Sequence, residues 1–173
     1  EGSIYSVVEN TAAQRNQGGE FEATLAVRNF TLSAFYSYVD VKITKGALTS
    51  AFGPEIAQRG TPKHQVGVTG VMSPPIDPAI GKLDVALTWS WRSKVYMHEF
   101  ERVGSTEPAY SLVNARASLD DIGGSGFHAA AFVNNLLDER YRIGTLSLLS
   151  SLGFTASAYG EPRMYGIEVG YRF

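Results

Sequence analysis

The sequence predicts an all-β chain, an antiparallel up-and-down meander of about eight strands. Three observations predict it. Apolar and polar residues alternate with a period of two in segment after segment. No apolar stripe at helical spacing is sustained with a cap at each end. The connections between the alternating segments are short and long by turns.

The opening segment, 2–8, is strand-like but does not declare its faces. In the next, Phe21, Ala23, Leu25 and Val27 alternate with Glu20, Glu22, Thr24 and Arg28. After the pair Arg28-Asn29, Phe30, Leu32, Ala34, Tyr36 and Tyr38 alternate with Thr31, Ser33 and Ser37, and Phe35 breaks the polar side. Segment 62–73 is strand-like with undecided faces. The clearest case follows: Leu83, Val85, Leu87, Trp89 and Trp91 against Asp84, Ala86, Thr88, Ser90 and Arg92. Val113, Ala115, Ala117 and Leu119 oppose Asn114, Arg116, Ser118 and Asp120, and Phe127, Ala129, Ala131 and Val133 oppose His128, Ala130 and Asn134. Tyr165, Ile167, Val169, Tyr171 and Phe173 alternate with Gly166, Glu168, Gly170 and Arg172. A strand sends successive side chains to opposite faces, so each segment has one apolar and one polar face.

The connections at 28–29, 73–81 and 121–125 are short, and those at 9–17, 44–61, 97–108 and 142–161 are longer. In a meander odd and even connections lie at opposite ends. One rim is therefore short and the other carries long loops, as in a bacterial outer-membrane barrel.

Composition narrows the classes. Among 173 residues, 15 Lys+Arg and 17 Asp+Glu leave a formal charge of −2, without the basic footprint of a nucleic-acid binder. There is no Cys, hence no disulfide scaffold and no cysteine nucleophile. No apolar run is long enough for a transmembrane helix. The chain begins at Glu1 without Met, so it is expected to be trimmed or a fragment.

Alternation fits a soluble β-sandwich as well as a membrane wall. Three features favour the membrane. Aromatic residues stand at the ends of the apolar faces: Phe30, Tyr36 and Tyr38, Trp89 and Trp91, Tyr165, Tyr171 and Phe173. The eight-residue spacing of Phe30 and Tyr38 spans about 19 Å when tilted, near the height of a lipid band. The apolar faces carry no charge, and the polar faces are rich in Gly, Ser, Thr and charge. A complete eight-stranded barrel, whether channel, adhesion module or lipid-modifying enzyme, and a soluble β-sandwich binding module remain the alternatives. Small residues on the polar side (Ala86, Ser90, Ser118, Gly166, Gly170) favour a barrel wider than eight strands.

Short motifs extend the reading. Asn135-Leu136-Leu137-Asp138-Glu139-Arg140-Tyr141 resembles the Asn-Leu-Phe-Asp-Lys-x-Tyr stretch of TonB-dependent outer-membrane receptors, with Leu137 for the usual Phe and Glu139 for a basic residue. Gly160-Glu161-Pro162-Arg163 and the ending Tyr171-Arg172-Phe173 are similar to that family's Gly-x-Pro-Arg and terminal strand. Gly18-Gly19-Glu20-Phe21-Glu22, Ala34-Phe35-Tyr36-Ser37-Tyr38, Thr61-Pro62-Lys63-His64 and Pro108-Ala109-Tyr110-Ser111-Leu112 also fit, in the family's order. The resemblance implies the C-terminal wall of a large transmembrane barrel of roughly 22 strands, with the plug domain absent from this chain. It implies uptake of a scarce nutrient, most often a ferric siderophore, energised by TonB through the missing plug. The expected partners are the outer-membrane lipid bilayer, the iron chelate and, through the C-terminal strand, the barrel-assembly machinery.

Nothing in the sequence marks catalysis. It holds no phosphate loop or dinucleotide fingerprint, and no cofactor or metal is expected. His98-Glu99-Phe100-Glu101 is the nearest approach to a metal motif, and Asp120-Asp121 reads as a charged turn. A polar, often anionic chelate would be caught by cations and aromatics near the long loops. The candidates are Arg92, Lys94, Tyr96 and His98, with Arg59, Arg102, Arg142 and Arg163. Asn135 to Tyr141 is expected to fix a strand-to-loop exit rather than to bind ligand.

Overall fold

The computed structural model describes residues 13–45, 49–50, 53–54, 59–98 and 104–173. The segment 2–8, and Glu99, Phe100, Glu101 and Arg102 of the 97–108 connection, lie outside the described residues. In chain order the strands are β1 (Ala13–Val27), β2 (Phe30–Lys45), β3 (Thr49–Ser50), β4 (Gly53–Pro54), β5 (His64–Met72), β6 (Lys82–Arg92) and β7 (Val95–Tyr96). They continue with β8 (Thr106–Glu107), β9 (Tyr110–Asp120), β10 (Phe127–Asn134), β11 (Arg142–Leu148), β12 (Phe154–Tyr159) and β13 (Met164–Tyr171). A seven-stranded sheet in the order β1-β2-β5-β6-β9-β10-β13 forms the body, every neighbour antiparallel. The meander predicted by the alternation is the meander observed.

The turns at one end are tight for local reasons. Arg28 takes φ 53° between β1 and β2, the left-handed conformation of a tight hairpin. Pro74, Pro75 and Pro78 occupy the β5–β6 connection and cannot supply ladder donors. In the β9–β10 turn Asp121 takes φ 52°, and its carboxylate meets the Lys82 ammonium at 2.6 Å. That contact holds the Asp121 carboxyl below its ordinary pKa. At the opposite end the connections hold three small hairpins, β3–β4, β7–β8 and β11–β12. The 142–161 connection, expected as loop, is mostly the β11–β12 hairpin, whose strands lack clean alternation.

Register joins the apolar faces into one surface. Leu25, Leu32, Gly70, Leu87 and Ala115 lie in one row, and Ala23, Ala34, Val68, Trp89 and Val113 in the next. This also settles the faces of β5, left open by its sequence. The apolar side chains are left in the open: Leu25 is 58% exposed, Leu87 51% and Ile167 80%. Among the described residues no second sheet covers them, as a sandwich would require. The polar partners of β6, Asp84, Ala86, Thr88 and Ser90, are half-buried instead.

On the polar face, aromatic rings lie over glycines of the next strand. Phe35 covers Gly67, Phe132 covers Gly166 and His128 covers Gly170, each where an added Cβ would collide with the ring. This explains the apparent break at Phe35. It also corrects the reading of Gly166 and Gly170 as evidence of barrel width, because their missing side chains make room for neighbouring rings. Arg116 and Glu168 pair at 2.5 Å across the intervening β10.

The apolar phase inverts within β2. From Phe30 to Tyr38 the even positions are apolar, whereas beyond Tyr38 the even positions are Asp40, Lys42 and Thr44 and the odd ones Val39, Val41 and Ile43. Val41 is buried at 7% exposure, and Asp40 bonds the Lys42 and Lys63 ammonium groups at 3.1 and 3.0 Å. The apolar side chains of β2 therefore lie on one face of the sheet up to Tyr38 and on the other face beyond it.

Two substitutions test this arrangement in the protein folded into lipid vesicles. Val68→Arg, on the apolar face, is expected to destabilise by about 2–4 kcal/mol, and Thr69→Arg, one residue along on the polar face, by far less. Urea unfolding followed by tryptophan fluorescence reads the difference. Gly67→Ala is expected to lose about 1–3 kcal/mol by displacing Phe35, and Phe35→Ala in the same chain to remove most of that loss.

Candidate functional site

The polar face and the long-loop end converge on one aromatic and cationic cluster. Arg92, the last residue of β6, stands opposite Tyr110, the first of β9. Its guanidinium lies 4.4 Å from the centre of the Tyr110 ring. Tyr110 stacks on Tyr141, with centroids 4.6 Å apart and planes 29° from parallel. The Tyr141 ring covers Gly160, and the Gly160 amide donates to the Tyr141 carbonyl at 2.9 Å. Arg92, Tyr110 and Tyr141 thus form a stack of one cation and two rings, a surface suited to planar aromatic or anionic groups. Arg92 Nε is buried and has no hydrogen-bond partner among the described residues.

A buried ion pair supports the stack. Arg142 Nε donates to Glu107 at 2.6 Å, while Nη1 and Nη2 donate to the carbonyls of Gly104 at 3.0 Å and Thr106 at 2.5 Å. The Arg142 amide also donates to Glu107, at 3.1 Å. Glu107 is 6% exposed, so the pair ties β8 to the base of β11 in a setting where losing one partner strands the other.

Asn135 fixes the exit from β10. It takes φ 51° and is 4% exposed. Its amide donates to Asn114 Oδ1 at 2.8 Å, and its Nδ2 donates to the carbonyls of Glu139 and Glu161 at 2.9 and 3.1 Å. Its Oδ1 accepts from the Glu139 amide at 2.9 Å. One side chain thereby joins the start and end of the β11–β12 excursion. Nearby Asp138 accepts the Arg163 amide at 3.0 Å.

Between these supports lies a cleft of about 410 Å³ lined by Glu107, Tyr110, Glu139, Arg140, Arg142 and Tyr159, among others. Arg140 approaches the Tyr159 ring at 5.9 Å. Tyr110, Tyr141, Arg140 and Tyr159 were not among the sequence candidates. Tyr110 and Tyr141 sit in the family-like motifs, but their contact with Arg92 depends on register and on a 31-residue excursion between Tyr110 and Tyr141, which local pattern does not carry.

The other candidates fall in distinct places. Lys94 is exposed, with Nζ 5.5 Å from the Tyr96 ring. Tyr96, in β7, accepts the Gly60 amide at 2.8 Å and bridges Arg59. These residues form a second patch near β7 and β8. His98 follows buried Met97, whose amide donates to Ser105. Arg163 Nη1 reaches the Leu136 carbonyl at 3.5 Å. Arg102 lies outside the described residues. The expected lipid-facing rings Phe30, Tyr36, Trp89, Tyr165, Tyr171 and Phe173 are all exposed, whereas Tyr38 and Trp91 are half-buried. Among the described residues no group of three or more His, Asp and Glu is placed to hold a metal ion.

The sequence matches no family model and no curated protein. Solved structures match it in fold. The ferric yersiniabactin uptake receptor FyuA from Yersinia pestis superposes with a TM-score of 0.75 at 17% identity, over 92% of this chain and 24% of the receptor. BauA, the ferric preacinetobactin receptor from Acinetobacter baumannii, gives 0.69 at 21% identity, over 94% of this chain and 23% of its own. The outer-membrane ferripyoverdine receptor of Pseudomonas aeruginosa gives 0.64 at 21%, over 91% and 19%. This chain therefore has the fold of a receptor barrel wall, and the resemblance to TonB-dependent outer-membrane receptors holds at the level of fold. It spans about a quarter of the length of FyuA.

Removing Glu107 tests the support of the cleft. Glu107→Ala is expected to weaken the β11–β12 attachment by about 3–5 kcal/mol. Hydrogen exchange of the 142–159 amides should speed up accordingly, with the β5–β6 amides unchanged.

Proposed function

We propose that this chain is the C-terminal part of the barrel of a TonB-energised outer-membrane receptor that imports a ferric siderophore. The exposed, charge-free apolar face carries this reading, because a lipid solvent makes such a face stable. The short-turn rim is then periplasmic and the hairpin-rich rim external. The polar face looks into the lumen. Arg92 and the tyrosines stacked on it stand at the outer mouth, where a polar chelate arrives. The names of the structurally similar receptors support a ferric chelate as cargo.

The plug that contacts TonB belongs, in this reading, to sequence upstream of this chain. β1 and β13 are the ends of the described sheet and do not pair with each other, which a closed barrel of these strands alone would require. Their outer backbone groups need further strands, since hydrocarbon supplies no hydrogen bonds. The terminal strand and Phe173 are the segment that the barrel-assembly machinery would engage. The chain's role is transport rather than catalysis: it supplies a wall, a cation-lined mouth and a lipid contact.

Charge reversal at the mouth tests the reading in the full-length receptor. Arg92→Glu is expected to weaken binding of an anionic ferric chelate at least tenfold and to slow uptake of radioactive iron, with the amount of folded protein in the membrane unchanged. Unaltered binding across hydroxamate, catecholate and carboxylate chelates would remove Arg92 from the site. Iron uptake unaffected by deletion of the whole gene, under iron limitation and with each chelate as sole source, would refute the proposed cargo.

A further inference from the structure

The lipid-facing side carries a second feature that transport does not require. Just above Tyr38 the outward positions of β1 and β2 are charged. Arg15 and Lys42 are direct cross-strand partners, and Gln17 faces Asp40 two pairs below, on the same face. Like charges directly opposite on a sheet repel. Lys63, at the approach to β5, adds a third cation beside them through its 3.0 Å contact with Asp40. That contact raises the Lys63 pKa and keeps the ammonium charged. Among the described residues of β1, β2 and the approach to β5, Asp40 is the only carboxylate on this side, set against Arg15, Lys42 and Lys63.

The position is as specific as the charge. Lys42 lies four residues beyond Tyr38, about 9 Å higher on a tilted strand. The rim below is aromatic and polar: Tyr36 Oη and His64 Nδ1 are 2.8 Å apart, and the Tyr38 and His64 rings are 5.2 Å apart. Hydrocarbon ends at these rings, and the cations stand at the height of lipid headgroups. Lys42 keeps 64% of its side-chain surface exposed and Lys63 43%, and the Lys63 ammonium lies 5.6 Å from the centre of the Tyr38 ring.

We propose that Arg15, Lys42 and Lys63 form a docking site for the phosphate-bearing headgroup of an external-leaflet lipid. A phosphate there relieves the Arg15–Lys42 repulsion and accepts hydrogen bonds from all three cations. Asp40 holds the Lys42 and Lys63 ammonium groups at 3.1 and 3.0 Å, and each ammonium has further donors beyond that contact. The acyl chains of such a lipid lie against the apolar face, which has a groove of about 380 Å³ beside Gly70, lined by Leu32, Val68, Leu87 and Trp89. The inference rests on the membrane placement of the sheet and not on the identity of the cargo.

Native mass spectrometry of the full-length receptor in a neutral maltoside detergent tests it, with bisphosphorylated lipid A as probe. Retention of lipid A is expected, with at least tenfold loss in the Arg15→Glu/Lys42→Glu variant and none in Arg28→Gln at the opposite rim. Heat-modifiable migration on gels verifies that each variant folds, and Lys63→Gln supplies a milder variant if the double one does not. Equal retention of lipid A and its dephosphorylated form would overturn the proposal. So would unchanged retention in the folded variants, or displacement of lipid A by equimolar inorganic phosphate. Chelate binding measured on the same samples separates failure here from failure of the transport reading.

Discussion

On the proposed membrane reading one constraint organises this chain: inside hydrocarbon a backbone amide has no water to turn to. A strand crossing a bilayer must pair its hydrogen-bonding groups with strands on both sides, and its side chains are then forced alternately outward and inward. The meander order, the uninterrupted register from β2 through β9 and the charge-free apolar rows all follow. In a soluble sandwich the same alternation would hide its apolar side against a second layer. Here it is the apolar side that stands open.

The constraint is uniform along the body of the sheet, which is why that part was legible from sequence. Leu83 to Trp91 and Tyr165 to Phe173 declare their faces without help from any neighbour. Where another force acts, local pattern fails. Phe35 looks like an error until Gly67, on the paired strand, is seen beneath it. β2 seems to end at Tyr38 because its apolar phase reverses there, although the strand runs on to Lys45. The β11–β12 hairpin, outside the lipid on the proposed reading, would owe it no alternation, and its sequence alone reads as loop.

The cluster around Arg92 is legible only in part. A preference for cations near long loops picked out Arg92 and Arg142 alike, but the fold uses them differently. Arg142 has its guanidinium committed to Glu107 and two carbonyls, and so works as a fastening. Arg92 instead holds its guanidinium over the Tyr110 ring. Glu107 precedes Arg142 by 35 positions, a separation at which composition says nothing about pairing. A short motif carries Asn135 to a strand exit, where the structure also has it, and its buried side-chain amide explains the Asn: it donates and accepts at once.

The reversal at Tyr38 also acts as a depth gauge. A bilayer only slightly thicker than the outer band would draw Asp40 and Lys42 below the waterline, and a thinner one would strand Phe30 or Tyr36 in water. Either mismatch carries a modest energetic penalty for each ångström. In the proposed membrane setting the protein would therefore be matched to a bilayer of one thickness, and the same sheet moved to a thicker one would have to lean or pinch the lipid around it.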